Sequence, residues 1–210
     1  MSDVLYPLLS LARLRMDIDG EGVTTLVAGA GCPLNCKWCI NRKVLEKAPH
    51  PTTPQELFDR VKIDDLYFQA TGGGITFGGG ESLLHIDFIQ AFRQLCGRTW
   101  RLYSETSLHV PTETIDRAAG IIDGFIVDMK DMNPTIYHAY TGKEAALAYG
   151  NLRRLLSLTG PERILVRVPL IPEFNTPEDQ AHSLAILRDM GVTRLDSFSY
   201  IIPQKSPGKA

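Results

Sequence analysis

Thr24-Thr25-Leu26-Val27-Ala28, then Gly31-Cys32-Pro33-Leu34-Asn35-Cys36-Lys37-Trp38-Cys39-Ile40-Asn41, is the stretch that decides how this chain is read. A short β-branched, apolar run gives way to glycine and then to three thiols spaced Cys-x3-Cys-x2-Cys. A first strand thus delivers a loop that can wrap one metal centre. Five further strand-like runs follow, at residues 74–78, 101–105, 125–130, 164–170 and 194–201. They alternate with segments of helical period at 54–69, 85–95, 112–119, 144–158 and 177–190, the pattern of βα units around a parallel sheet. In the segment 144–158, Ala148, Leu152, Leu155 and Leu156 fall on one apolar face.

Helix starts are marked. Thr53-Pro54-Gln55-Glu56 and Thr141-Gly142-Lys143-Glu144 have capping-box spacing, and Thr176-Pro177-Glu178 places an N-cap before Pro at the first helical position. Six units are too few for a closed eight-unit barrel of about 250 residues. The reading is α/β, a partial (βα)6 TIM-like barrel of parallel strands with helices outside. It makes one domain over residues 1–210, with a lead-in at 1–23, six βα units at 24–201 and a short tail at 202–210. Reactive groups are expected at the C-terminal ends of the strands, where the loops meet.

Composition excludes other classes. Of 210 residues, 22 are Lys or Arg and 24 are Asp or Glu, a net charge of −2, which argues against a surface for nucleic acid or an anionic membrane. No apolar run approaches the roughly 20 residues of a membrane span and the N-terminus has no signal-peptide pattern, so the cytoplasm is the expected compartment. Four cysteines, three of them within eight residues, do not make a disulfide scaffold. Cys96, among Phe92 and Leu95, reads as a core thiol. His50, His85, His109, His138 and His182 lack metal-ligand spacing and read as solvated or capping residues.

The thiol spacing itself leaves three readings open. A structural zinc site needs an imported fourth ligand, and a redox pair leaves one thiol over. A four-iron, four-sulfur cluster with one iron open for a ligand uses all three. Here the chain resembles the radical S-adenosylmethionine enzymes, whose motif is this loop with an aromatic residue before the last cysteine, filled by Trp38. The resemblance implies a [4Fe-4S] cluster on Cys32, Cys36 and Cys39, and S-adenosylmethionine on the open iron with its adenine beside Trp38. It also implies reductive cleavage of that cofactor to a 5′-deoxyadenosyl radical.

Later motifs narrow the resemblance to the activating enzymes of glycyl radical enzymes. Gly72-Gly73-Gly74-Ile75-Thr76-Phe77-Gly78-Gly79-Gly80-Glu81-Ser82 is similar to their second strand end, with Gly78 where they have Ser and Ser82 where they have Pro. Glu105-Thr106-Ser107 resembles their third strand end, with Leu108 where Gly is usual. Asp128-Met129-Lys130 resembles an Asp-x-Lys motif, and alternation along a strand puts both charges on one face. Val166-Arg167-Val168-Pro169-Leu170-Ile171-Pro172-Glu173-Phe174-Asn175 resembles an Arg-x-x-x-x-Pro-x-x-Asn pattern. Its Arg167 is expected to meet the cofactor carboxylate or Glu81. Asp17-Ile18-Asp19-Gly20-Glu21-Gly22 resembles the lead-in of the same enzymes.

Cofactor contacts implied by the resemblance are thus Trp38, Gly79, Gly80, Glu81, Glu105, Asp128, Lys130 and Arg167, with Glu105 and Asp128 as donors to a monovalent cation. No side chain is expected to act as a general acid or base. Implied partners are a glycyl radical enzyme as protein substrate and a flavodoxin or ferredoxin as electron donor. One departure is the lack of a His near the end of the sixth strand, where the chain reads Phe198-Ser199-Tyr200-Ile201-Ile202-Pro203; Tyr200, Gln204 and Lys205 are candidate replacements. Two alternatives stay open: a radical enzyme acting on a small molecule or peptide, and a non-enzymatic metal-binding or interaction domain.

Overall fold

The computed structural model describes residues 4–201. Eight strands form one sheet: β1 (Tyr6–Met16), β2 (Val23–Gly29), β3 (His50–Thr52), β4 (Gly74–Gly79), β5 (Arg101–Thr106), β6 (Gly124–Asp128), β7 (Ile164–Leu170) and β8 (Arg194–Ser199). Their order is β3-β1-β2-β4-β5-β6-β7-β8. The six strands from β2 and β4 to β8 are parallel, and each lies within two residues of a run the sequence predicts. β1 is antiparallel to β2 and to β3.

Alternation sorts the side chains. Ile75, Phe77, Leu102, Phe125, Val127, Ile164, Val166 and Val168 face outward and are buried under the helices. Their neighbours Glu105, Asp128, Arg167 and Asp196 face inward and line a common cavity. That cavity also takes Ser10 and Arg15 of β1 and Phe198 of β8, so the sheet curls until its two sides face each other. Among the described residues no ladder joins β8 to β1 or β3, and the barrel stays open along that seam.

The outer layer is α1 (Arg42–Leu45), α2 (Pro54–Val61), α3 (Asp65–Thr71), α4 (Ile86–Cys96), α5 (Thr112–Ile121), α6 (Pro134–Thr141), α7 (Ala146–Thr159) and α8 (Pro177–Asp189). Thr53 with Glu56 and Thr176 with Asp179 form capping boxes. Ala148, Leu152 and Leu155 of α7 are fully buried, Leu156 packs at their margin, and Cys96 is a buried core thiol. No described helix is long and apolar enough to cross a membrane.

Four expectations are corrected. The first strand is not the one at 24–28, because β1 precedes it within the lead-in; irregular pairing between Leu8 and Ser10 and between Ala12 and Arg15 breaks the alternation that marks a strand. The segment 54–69 is two helices parted by a 3₁₀ turn at Lys62–Asp64. That break turns the Asp64 carboxylate inward, where it accepts from Arg13 at 2.8 and 2.5 Å and from Thr25 Oγ1 at 3.2 Å. Thr141 caps no following helix. It ends α6, its hydroxyl donating to Tyr137 O at 2.7 Å, and the left-handed Gly142 closes that helix. Finally, β6 stops at Asp128, so Lys130 is not a strand residue; Met129 N–H turns to Arg167 O at 3.0 Å. The tail at 202–210, with Gln204 and Lys205, lies outside the described residues.

Candidate active site

The cysteine loop crosses the mouth of the barrel and is held from two sides. At its root, Gly80 N–H donates to Gly29 O at 2.9 Å and Glu81 N–H to Gly31 O at 2.8 Å, which extends the β2–β4 ladder past the strand ends. A Cβ on Gly80 would collide with the Gly31 carbonyl oxygen, so glycine is required there for the two backbones to approach. On the far side the last carbonyls of α6, free of intrahelical partners, accept from the loop: Asn35 N–H donates to Thr141 O at 2.9 Å and Lys37 N–H to Tyr140 O at 3.1 Å. The Tyr140 hydroxyl donates to Trp38 O at 3.0 Å, and Asn41 Nδ2 to Gly79 O at 2.7 Å. His85 stands at the N-cap position of α4, as a capping residue would, but its side chain makes no cap bond and instead braces the root, its Nε2 at 2.9 Å from Ala30 O and its ring against Tyr6.

One cavity of about 110 Å³ brings together Cys32, Cys36, Cys39, Trp38, Gly79, Gly80, Glu81, Glu105, Asp128, Lys130 and Arg167. Every site residue expected from the sequence is in that set. Tyr200 joins them at the end of β8, where the usual His is lacking. A second cavity of about 440 Å³ shares Gly79, Glu105, Asp128, Arg167 and Tyr200 with the first and runs to the open seam.

Charge in this space is tightly partnered. Glu81 is 1 % exposed and accepts four hydrogen bonds, from Thr106 Oγ1 (2.6 Å), Leu83 N–H (3.2 Å), Ser107 N–H (2.8 Å) and Ser107 Oγ (2.6 Å). Burial pushes its carboxyl above the ordinary value of 4.5, and these donors pull the other way. Because the Glu81 oxygens serve the turn after β5, Arg167 pairs elsewhere than expected: Nη1 donates to Glu105 Oε1 at 2.9 Å and Nη2 to Ile18 O at 2.6 Å. Glu105 fills the room left by Gly78, where a Cβ would lie 2.5 Å from its Oε2. Its carboxyl is also held up, by burial first and then by the facing Asp128, against Arg167.

Lys130 Nζ lies 3.2 Å from both Asp128 Oδ2 and the Tyr200 hydroxyl. Burial works against its charge, but Asp128, with Tyr200 and Cys36, raises it well above 10.5 and keeps it an ammonium. Burial likewise pushes the Cys36 thiol up to about 11, with Lys130 opposing. A thiol so placed ionises readily only when a metal supplies positive charge.

Several residues outside the expected contact set shape the site. The turn at 17–22 tucks inside the barrel: Thr76 Oγ1 donates to Asp19 O, the Asp19 carboxylate pairs with Arg15, and Gly20 lies against the Tyr103 ring. Leu108, standing where the resemblance would have Gly, takes the left-handed conformation a glycine would adopt, at φ +58°. Its buried side chain, its N–H on Thr106 Oγ1 (2.9 Å) and Asn151 Nδ2 on its carbonyl (2.9 Å) hold it there. Asn175 faces no cofactor space; it ties Ile171 N–H (2.6 Å) and Pro169 O (3.1 Å) of the β7 end to Asp131 (2.9 Å). His109 is half-buried, and burial lowers its pKa.

The site suits a cluster better than a single ion. Among the described residues no three His, Cys, Asp or Glu converge on one metal position, although the three thiols share a cavity. Thiolates that each bind a different iron face one cube from separate directions. Among the described residues the buried Trp38 Nε1 of the loop has no hydrogen-bond partner.

The sequence profile of the Radical SAM superfamily matches residues 26–185, and the chain belongs to that superfamily. Membership brings a [4Fe-4S] cluster and S-adenosylmethionine as cofactors, and enzymatic activity with them. Among curated proteins, the indoleacetate decarboxylase activating enzyme of Tractidigestivibacter scatoligenes is 32% identical, over 80% of this chain and 74% of that protein. The (2S)-3-sulfopropanediol sulfolyase activating enzyme of Bilophila wadsworthia is 27% identical, over 77% and 74%. The pyruvate formate-lyase 2-activating enzyme of Escherichia coli is 28% identical, over 84% and 71%. In fold, the chain is similar to Streptococcus suis SuiB bound to S-adenosylmethionine (TM-score 0.63, 10% identity, 82% of this chain but 39% of that one). It is also similar to anSMEcpe with bound AdoMet (TM-score 0.60, 16% identity, 86% and 52%).

Proposed function

We propose that this chain is the activating enzyme of a glycyl radical enzyme. The observation that carries the reading is that the thiol-lined cavity shares its wall with a second one lined by residues of both β1 and β8, which reaches the open seam between those strands. The activating-enzyme relatives support it. When bound, the cluster would supply the electron for reductive cleavage of S-adenosylmethionine to methionine and a 5′-deoxyadenosyl radical, the reagent for taking a hydrogen atom from a glycine of the partner.

The chain's own residues position these groups. Cys32, Cys36 and Cys39 would hold three irons of the cluster and leave one for the ligand. Lys130 and Arg167 supply positive charge for the methionyl carboxylate; each is already balanced by Asp128 or Glu105, so their ammonium and guanidinium are set before the ligand arrives. The Gly79-Gly80 backbone forms the wall beside the methionyl group, and Glu81 holds that wall against the turn at 106–107. Trp38 flanks the adenine. A monovalent cation would take Glu105 and Asp128 as oxygen donors. A flavodoxin or ferredoxin delivers the electron.

Protein handled without oxygen and given reductant, S-adenosylmethionine and a glycyl radical enzyme from the same genome should yield 5′-deoxyadenosine and a glycyl doublet in the partner's paramagnetic spectrum. Formation of 5′-deoxyadenosine with no radical on the partner would move the substrate to a small molecule or peptide. Colourless protein with stoichiometric zinc would make the chain a metal-binding domain without this chemistry.

A further inference from the structure

Cys39 borders two spaces. One is the cavity it shares with Cys32 and Cys36; the other is an outer groove of about 560 Å³ that neither of those thiols lines. Trp38, Ile40 and Tyr200 line both, so the same side chains face the thiols on one side and the exterior on the other. The floor of the groove is apolar. Ile201 and Ile40, which line it, are the most exposed large apolar side chains among the described residues, at 94% and 80%. Its rim is cationic, with Arg42 and Lys43 against Glu46. The short helix α1 that carries Arg42 and Lys43 buries no residue of its own, and Arg42 Nη2 donates to Cys36 O at 2.7 Å, which fixes the rim to the cysteine loop. In a chain of net charge −2, residues 32–50 carry Lys37, Arg42, Lys43 and Lys47 against Glu46 alone. Among the described residues none of these four cations makes an ion pair. Residues 202–210 add Lys205 and Lys209 and no Asp or Glu, so their side chains offer the rim no counter-charge.

An apolar centre inside a charged rim is the anatomy of a protein interface, and small, charge-steered interfaces suit brief electron-transfer encounters. The groove meets Cys39 but none of Glu105, Asp128, Lys130 and Arg167, so what docks there reaches the thiol side of the site and not its carboxylate-binding side. That position suits a donor of electrons better than a donor of hydrogen atoms. An apolar floor that includes an indole also suits the edge of a flavin ring. We infer that this groove docks an acidic flavin-carrying electron carrier, a flavodoxin, with its flavin edge against Trp38 and Ile201 and its carboxylates around Arg42 and Lys43. The inference rests on the reading that Cys32, Cys36 and Cys39 hold a [4Fe-4S] cluster, and not on which substrate the radical attacks. The reduced flavin gives up one electron to the oxidised cluster, and no other bond is made or broken.

The test is anaerobic calorimetric titration of the holoenzyme with an oxidised flavodoxin at low and at physiological salt. Wild type is compared with Lys43→Glu, Ile201→Ser and Lys62→Glu, the last an equal change of charge beside Asp59 of α2. Lys43→Glu should weaken binding about tenfold at low salt and less at higher salt, as a close interfacial charge does. Ile201→Ser should weaken it about fivefold at both, as loss of an apolar anchor does. Lys62→Glu should match wild type. Dithionite should reduce the cluster to the same extent in all four proteins, with equal iron and sulfide, so that the loss is one of docking. Absence of flavodoxin binding to iron-loaded wild type, or unchanged affinity in either Lys43→Glu or Ile201→Ser, overturns the inference and leaves the cluster reading intact. An equal loss in Lys62→Glu overturns it too, since net charge alone would then explain the effect. A dependence on Lys43 seen with a ferredoxin and not with flavodoxin overturns the choice of carrier. Variants that keep flavodoxin but lose the glycyl radical enzyme give the groove to the substrate protein instead. Wild-type protein lacking iron and sulfide overturns the cluster reading and the inference with it.

Discussion

Charged residues gather at both ends of this barrel, and they are not equivalent. At the N-terminal ends of the strands Arg101 pairs with Glu21, each about half exposed (50% and 51%), and Arg98 with Asp123, the arginine 66% exposed. At the C-terminal ends Arg167 pairs with Glu105 at 18% and 20%, and Lys130 with Asp128 at 10% and 34%. Apart from Asp123, which is 25% exposed and also pairs with the buried Arg93, the same residue types therefore sit in water at one end and largely out of it at the other. Exposed pairs are screened and contribute little. Withdrawn pairs are costly to assemble and costlier to break, and they persist where a charged ligand has to be met.

The largest expected effect is at the mouth. Cys36→Ser should lose cluster iron and bring 5′-deoxyadenosine formation below detection, while the same substitution at Cys96, a core thiol, should leave iron content unchanged. Iron analysis and chromatography of the nucleoside decide this, and equal loss in both would remove the distinction drawn between the thiols.

Next are two changes in stability, both read from urea denaturation. Arg167→Met strands Glu105 in a withdrawn position and should cost about 3 kcal/mol. Leu108→Ala should cost about 3 kcal/mol for the emptied core site. Leu108→Gly should cost about 1 kcal/mol less than Leu108→Ala, reversing their usual order, because the backbone there is left-handed. If glycine is the worse of the two, the strain assigned to Leu108 is wrong.

Withdrawn and exposed carboxylates should also differ in pH response. Glu105 is held above 4.5, so the folded state binds its proton more tightly than the unfolded chain does. Its contribution to stability therefore falls as pH rises from the ordinary carboxylate value through the folded one. Helix-capping Glu56 and Asp179 are held low by their threonine partners and work in the opposite sense, losing stability as pH drops through their folded values. Glu105→Gln should flatten the first limb and leave the second, as followed by the urea midpoint across mildly acid pH. The smallest effect is expected at the other end: Arg101→Ala should change stability by about 0.5 kcal/mol and leave cofactor cleavage untouched.

Much of this was legible in the chain. All eleven expected site residues share one cavity, because each motif is set by local chemistry: thiol spacing, glycine at a strand end, charge closing an apolar run. What escaped was set by distant partners. β1 was hidden by bulges, and α6 by a competing reading of Thr141, although Asn133-Pro134 at its start and Gly142 at its end are ordinary helix signals. The partner of Arg167 could not be read at all, since Glu81 and Glu105 are equally acidic and only their hydrogen-bond neighbours differ.

The sequence by itself determined six parallel strands, their connecting helices and the identity of the groups at the mouth, because period, caps and spacing act over a few residues. Tertiary structure decided which carboxylate meets which cation, how Leu108 holds a turn suited to glycine, and that α6 supports the cysteine loop from behind. Those outcomes depend on desolvation and on hydrogen bonds between segments up to about 150 residues apart, as between Arg167 and Ile18, and no local pattern encodes them.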